Sequence, residues 1–492
     1  MITFQDVSFR YKDSEQAQSL KHVSFHIAPG EVVLLCGRSG CGKTTITRLI
    51  NGLIPHFYEG HVMGGVTVAG QDVLAQPITK TAQSVGSVFQ NPRSQFFNVD
   101  STSEIVFGCE NMGWSFEMID ARLQEVVGVF ALTPLLDRNL FHLSGGEKQK
   151  IACASASMAD PPVMVLDEPA SNLDPGAIRL LAMVIAEWKR QGKTIVIAEH
   201  RLTYLRKVAD RVIYMEEGRI VQDLPAEQFW QIPDVDICAR GLRTTKMIEF
   251  HEGRAACIDE RERFHIQDLR FSRKEGMTLQ IPELSLPCGA IIGILGENGS
   301  GKTTLARCLC GLEKSCKGKF VLAGKSLSRR ERLRRSFLVM QDVNHQLFTE
   351  SVEEEVLISM SGCEDEKEAA AERILASMDL LPFRELHPLA LSGGQKQRVA
   401  VASALASQKD LLIFDEPTSG LDRQHMLEVA ENLRRLSALG KTIFLIAHDP
   451  ELVQECCEYF VFLSRGEVAW SGSWTVENSE RLRAFFDLET IE

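Results

Sequence analysis

No apolar run in this 492-residue chain approaches the roughly 18 residues of a membrane-spanning helix, so it is not expected to cross a membrane by itself. No leader is expected either. Met1-Ile2-Thr3-Phe4 enters an alternating, strand-like run without a charged n-region or a long apolar segment. An excess of positive charge is also missing: 54 basic against 66 acidic residues give a net charge of −12. That balance counts against broad nucleic-acid binding. The thirteen cysteines are odd in number and scattered, which counts against a closed disulfide framework. Within the tightest group, Cys308, Cys310 and Cys316, the first two lie two apart on a predicted helix and point to different faces, a poor metal claw. They read as reduced thiols packing as small apolar groups. Beyond its glycines the chain has no low-complexity tract, and its 44% hydrophobic content is that of a soluble globular protein.

What the chain does have is one set of motifs written twice. Gly37-Arg38-Ser39-Gly40-Cys41-Gly42-Lys43-Thr44 in the first half is matched by Gly296-Glu297-Asn298-Gly299-Ser300-Gly301-Lys302-Thr303 in the second. Each is followed by a glutamine (Gln90, Gln341), a Leu-Ser-Gly-Gly run, an aspartate-glutamate pair after an apolar stretch, and a histidine. From the serine of that run to the aspartate the interval is 23 in both halves (167−144 and 415−392). From the aspartate to the histidine it is 33 in both (200−167 and 448−415). Equal intervals mean duplicated domains. Residues 1–235 and 264–492 are expected to be the two domains. Residues 236–263, with six basic and six acidic residues and no strong period, are expected to be a mixed-charge linker. In each half, strand-like runs precede a buried strand that enters the glycine loop, and short apolar runs alternate with helical stretches. The predicted fold is α/β with a largely parallel sheet in each domain.

The chemistry follows from the residue types. A Gly-x-x-x-x-Gly-Lys-Thr loop at a helix N-terminus places backbone N–H groups around phosphate oxygens. Candidate phosphate-binding residues are therefore positions 37–45 and 296–304, which add Thr45 and Thr304 to the loops quoted above. Lys43 and Lys302 would neutralise the β- and γ-phosphates, while Thr44 and Thr303 would supply an oxygen to Mg²⁺. Asp167 and Asp415 end apolar runs beside those loops and are expected to hold the same metal. Glu168 and Glu416 follow at once and are the candidates to polarise the attacking water.

In these motifs the chain resembles the ATP-binding-cassette family, over nearly its whole length and twice. The discriminating element is the run from Leu143 to Lys150 and from Leu391 to Arg398. The resemblance implies two tandem P-loop ATPase domains, each with an antiparallel β-subdomain and a helical subdomain, that bind and hydrolyse ATP with Mg²⁺. It further implies that Ser144, Gly145 and Gly146 of one domain cap ATP held by Lys302, and Ser392, Gly393 and Gly394 cap ATP held by Lys43. His200 and His448 match the switch histidines, residues 171–174 and 419–422 the D-loops, and Gln90 and Gln341 the glutamines that link Mg²⁺ to a transmembrane partner. Tyr11 stands where these cassettes stack an aromatic ring on adenine.

The segments from Gln90 to Phe97 and from Gln341 to Phe348, with the acidic helices after them, are similar to the ATPases of energy-coupling-factor importers. That implies a motor on the cytoplasmic face of the cell membrane, peripherally attached to a transmembrane scaffold and a membrane substrate-binding subunit, taking up a vitamin or a transition-metal ion. Two other readings share the domain count: a fused sugar-importer ATPase, and a soluble tandem cassette acting on ribosomes or nucleic acid. The first commonly has a degenerate cassette and the second a longer charged linker; neither feature is evident. The halves differ at Tyr11 against Arg273, at Glu147 and Lys150 against Gln395 and Arg398, and at Glu199 against Ala447 before the histidine. Two competent but unequal sites are expected, with Glu199 weakening phosphate binding unless it points away.

Overall fold

Two apolar runs that enter the glycine loops, Val32–Gly37 and Ile291–Leu295, lie inside a six-stranded sheet in each half of the chain. The computed structural model describes residues 1–12, 19–251, 263–272, 278–322, 324–341, 343–360 and 364–488. It divides into two units, Met1–Met247 with Leu488–Glu492, and Ile248–Asp487.

The first unit contains β1 (Ile2–Tyr11), β2 (Leu20–Ile27), β3 (Val32–Gly37), β4 (Gly60–Val68), β5 (Gln71–Asp72), β6 (Val85–Val88), β7 (Val163–Asp167), β8 (Thr194–Ala198), β9 (Arg211–Glu216) and β10 (Arg219–Pro225). One sheet is antiparallel with order β2-β1-β4-β5. The other has order β10-β9-β3-β8-β7-β6 and is parallel except for the edge hairpin β9-β10. The second unit repeats both orders. Its strands are β11 (Arg263–Ser272), β12 (Thr278–Pro287), β13 (Ile291–Leu295), β14 (Lys317–Leu322), β15 (Lys325–Ser326), β16 (Ser336–Val339), β17 (Leu411–Asp415), β18 (Thr442–Ile446), β19 (Tyr459–Ser464) and β20 (Glu467–Ser473). They form β12-β11-β14-β15 and β16-β17-β18-β13-β19-β20.

Strand β3 is apolar throughout because both of its faces are covered. Val32, Leu34 and Cys36 join the core under the helices, while Val33 and Leu35 join the core under the antiparallel sheet. Ile291 and Leu295 against Ile292 and Ile294 divide in the same way in β13. Helical subdomains are built from Ser101–Asn111, Phe116–Phe130 and Gly145–Met158 in the first unit, and from Val352–Leu357, Glu364–Ser377 and Gly393–Ala406 in the second.

Both described ends of the expected linker are packed. The helix Asp234–Ala239 puts Ile237 in the first unit's core, followed by Leu242. On the other side Phe250 lies against Trp474 and Phe486. These apolar residues fell between charges and carried no period. Residues 252–262 of the expected linker, and Arg273, lie outside the described residues. No helix among the described residues is long and apolar enough to cross a membrane.

Candidate functional site

Each glycine loop leads from its strand into a helix, Lys43–Ile50 after β3 and Lys302–Cys310 after β13. The first-turn N–H groups of such helices have no intrahelical acceptor, which makes the loop an anion cradle. Lys43 is buried, and its Nζ curls back onto the carbonyl oxygens of Gly37 (2.9 Å) and Arg38 (3.1 Å). Lys302 does the same with Gly296 and Glu297, both at 2.8 Å. The ammonium groups are thus set over the loop. Arg38, Ser39 and Gly40 are exposed, as are Glu297 and Gly299; Asn298 is half-buried, and Cys41, Gly42, Ser300 and Gly301 are buried.

The remaining motifs converge on each loop. Thr44 Oγ1 donates to Asp167 Oδ1 at 3.1 Å, and Thr303 Oγ1 to Asp415 Oδ2 at 2.8 Å. Gln90 Nε2 donates to Glu168 Oε2 at 2.7 Å, and Gln341 Nε2 to Glu416 Oε2 at 3.2 Å. His200 Nε2 lies 3.3 Å from Glu168 Oε1 and 3.4 Å from Lys43 Nζ. The second unit holds His448 Nε2 3.7 Å from Glu416 Oε1. Burial, then the charge of Glu168, pushes the Asp167 carboxyl up to about 6; burial also raises Asp415. Glu168 and Glu416 share an uncommon backbone, left-handed at φ 46° and 51°. Their N–H groups donate to Ala198 O (2.8 Å) and Ile446 O (2.9 Å), which fixes each on the neighbouring strand.

The signature runs do something different within their own units. Ser144 and Ser392 cap the helices Gly145–Met158 and Gly393–Ala406. Glu147 and Gln395 complete the same reciprocal box, accepting from the serine N–H at 2.8 and 2.9 Å. The exchange of Glu147 for Gln395 therefore leaves the local geometry alike. Gly145 and Gly393 are exposed at these helix starts, with Gly146 and Gly394 half-buried behind them. Glu199 points away from the phosphate cradle: it is 1% exposed, and its carboxyl accepts bonds from within the fold. The expected weakening of phosphate binding by this residue does not follow.

Tyr11 is held by its hydroxyl, 3.3 Å from Thr45 Oγ1 and accepting from Arg48 at 3.0 Å. Arg48 also lies 3.9 Å over the ring of Tyr58. Tyr58 and Arg48 belong to this patch and were not singled out from sequence; a lone tyrosine after a helical stretch gives no signal. Nor did the pattern reveal that Arg38 Nε donates to Arg240 O at 3.1 Å, tying the first glycine loop to the end of Asp234–Ala239. Thr304, in the second loop's helix, is half-buried.

Comparison with known proteins identifies the family and the fold. The profile of the family described as ABC transporter matches residues 20–171 and 279–419. Two Treponema denticola proteins, provisionally named as ABC transporter ATP-binding proteins, are 45% and 40% identical over 95% of this chain and 96% of their own lengths. The solved complex of archaeal ribosomal stalk protein aP1 with the ribosome recycling factor aABCE1 aligns over 98% of this chain and 92% of that one, with a TM-score of 0.64. At 21% identity that likeness speaks for the tandem fold alone.

Proposed function

The chain belongs to the ABC transporter family of ATP-binding proteins, and from that premise we propose that it is the motor subunit of an energy-coupling-factor importer. It would hydrolyse ATP at two nucleotide sites to drive uptake of a micronutrient, a vitamin or a transition-metal ion. The partners would be a transmembrane scaffold and a membrane substrate-binding subunit, with the chain bound peripherally at the cytoplasmic face.

The geometry above supports the following roles. Lys43 and Lys302 bind the β- and γ-phosphates over the loop N–H groups. Glu168 and Glu416 take a proton from the attacking water, with His200 and His448 beside them at the γ-phosphate end. Thr44 with Asp167, and Thr303 with Asp415, fit Mg²⁺: paired hard oxygen donors, with both aspartates raised by burial and Asp167 also by the charge of Glu168. Bound there, Mg²⁺ would offset phosphate charge. Gln90 and Gln341 sit on the glutamates and lead directly into the coupling segments.

The observation that carries the transport reading lies in those segments. Glu104 is buried and accepts from the N–H groups of Phe97 (2.9 Å) and Asn98 (2.7 Å). Glu355, 251 residues on (355−104), is buried and accepts from Phe348 (3.0 Å) and Thr349 (3.1 Å). Each folded loop leaves its phenylalanine in solvent, Phe97 at 78% and Phe348 at 72% exposure. Phe97 stacks on Phe107 at 5.3 Å, and Val99 and Phe141 in the same unit and Ile358 and Leu389 in the other are also exposed. A phenylalanine left in solvent by a loop tied to a buried carboxylate, at the same place in both units, supports a docking role, because burying a carboxylate and exposing a phenylalanine are both unfavourable alone. Fractionation of cells expressing the full chain tests it. The expected result is a membrane-bound pool, released by detergent together with integral membrane proteins and depleted by Phe97→Asp with Phe348→Asp. Co-sedimentation with ribosomes and no membrane pool would overturn it.

The two sites should also be unequal. Removing Lys43 leaves Arg38 beside the loop, whereas removing Lys302 leaves Glu297, a charge of opposite sign. Lys302→Ala is therefore expected to lower ATP affinity more than Lys43→Ala, measured by equilibrium nucleotide binding. Indistinguishable effects would remove the asymmetry.

A further inference from the structure

The residue before His200 is a glutamate and the residue before His448 an alanine. Glu199 uses both carboxyl oxygens twice. Oε1 accepts from the N–H of His200 (3.0 Å) and Arg201 (3.2 Å), and Oε2 from the N–H of Ala170 (3.2 Å) and the hydroxyl of Tyr204 (3.1 Å). Ala170 is two residues past Glu168, so a single side chain joins the histidine loop to the segment that leaves the glutamate. Glu199, Ala170 and Tyr204 are all buried, which strengthens these bonds.

The second unit makes the same join from the other side of its histidine. Asp449, one residue after His448, accepts from the N–H of Glu451 (3.1 Å) and Leu452 (3.4 Å) and from Thr418 Oγ1 (3.4 Å). Counted from the preceding aspartates, Thr418 corresponds to Ala170 (418−415 and 170−167), and Asp449 to Arg201 (449−415 and 201−167). Tyr204 corresponds to Leu452 in the same way (204−167 and 452−415). Thus where the first unit has Ala170, Glu199, Arg201 and Tyr204, the second has Thr418, Ala447, Asp449 and Leu452. The acid has changed sides, and the partner hydroxyl has changed with it.

We propose that Glu199 is a positioning residue for hydrolysis in the first cassette, holding His200 in register with Glu168 as Asp449 and Thr418 do for His448 and Glu416. This rests on the roles proposed above for Glu168 and His200. Its carboxyl is taken up by four donors of the fold itself. It acts by fixing the loop on which the histidine stands, where a displacement of about 1 Å can lower a rate about 100-fold.

The test uses the full chain carrying Glu416→Gln, which silences the second set, and reads steady-state phosphate release and the thermal midpoint. In that background Glu199→Ala is expected to lower kcat about 10- to 100-fold, with the KM for ATP changed by no more than about threefold. Glu199→Gln should do nearly as much, since one amide oxygen cannot serve four donors and the NH₂ would face two of them. It also preserves volume should the alanine variant fail to fold. Adding Ala170→Thr and Arg201→Asp to Glu199→Ala rebuilds the second unit's tie and is expected to restore kcat to within about threefold. A residue needed only for packing would lower the melting midpoint without this split or rescue. Unchanged kcat in Glu199→Gln, or equal loss in kcat and ATP affinity without rescue, overturns the proposal while Glu168→Gln still abolishes turnover. If Glu168→Gln itself leaves turnover intact, the underlying reading of the site falls, and this inference with it.

Discussion

Turnover of ATP by the full chain is expected to fall roughly 10²- to 10⁴-fold when Glu168 and Glu416 are both replaced by glutamine, with ATP binding retained. Each glutamate stands in the left-handed region, a conformation that costs about 1 kcal/mol or more for a side chain of this kind. Other left-handed pairs recur between the units, Asp160 with Gln408 and Glu217 with Arg465 among them, but this one stands at the end of β7 and β17 beside the glutamine and the histidine. The backbone hydrogen bond to the adjoining strand holds the turn, and the carboxylate is left facing the glutamine and histidine of its own unit. Glutamine keeps the size and still accepts from Gln90 or Gln341, but it cannot take a proton from water. Phosphate release and nucleotide binding measured in parallel separate the two effects. A double variant within about threefold of the unaltered chain would assign the proton to some other group. Each single variant should retain the activity of the opposite set, so the pair of singles also measures how unequal the sites are.

Much of this site was legible in sequence because its parts are loops with fixed chemistry. The equal intervals of 23 and 33 residues required the same parallel crossovers in both halves, and the sheets have one strand order. Parallel strands carry their functional residues at their carboxyl ends. That is why Lys43, Asp167, Glu168 and His200, scattered over 157 positions (200−43), meet in one place. What could not be read is direction. Glu199 appeared set to repel phosphate, yet its acceptors' partners, Ala170 and Tyr204, lie on other segments and turn it inward. Only tertiary placement decides between those fates, since a carboxylate beside a phosphate and one inside a ring of N–H donors have the same local sequence. The ends of the expected linker were hidden for a related reason. Ile237 and Leu242 are buried and Phe250 half-buried, each packed singly against a core formed largely by other segments, and single apolar residues among charges show no period.

Gly37→Ala and Gly296→Ala are expected to lower the unfolding free energy of their units by about 2–5 kcal/mol and to abolish ATP binding at the altered site. The reason is packing before it is phosphate. At φ 152° and 138° both lie where an L side chain is strained. A Cβ on Gly37 would overlap the carbonyl oxygen of Met215 on β9 and come within 2.5 Å of Cys41 Sγ. One on Gly296 would overlap the carbonyl oxygen of Leu463 on β19 and come within 2.8 Å of Ser300 Oγ. Backbone oxygens cannot swing aside, so the glycine loop would separate from its neighbouring strand. Gly40 and Gly299 supply the contrast. They too are left-handed, at φ 77° and 80°, but a Cβ there meets nothing within 4 Å. Their alanine variants should lose only about 1 kcal/mol from backbone strain. Denaturant midpoints without nucleotide distinguish these cases, because no ligand is present to be excluded. Equal losses at all four positions would mean that the glycines answer to a common backbone requirement. The expected split, large at Gly37 and Gly296 and small at Gly40 and Gly299, assigns the first pair to joining the loop to the sheet and frees the second to face phosphate.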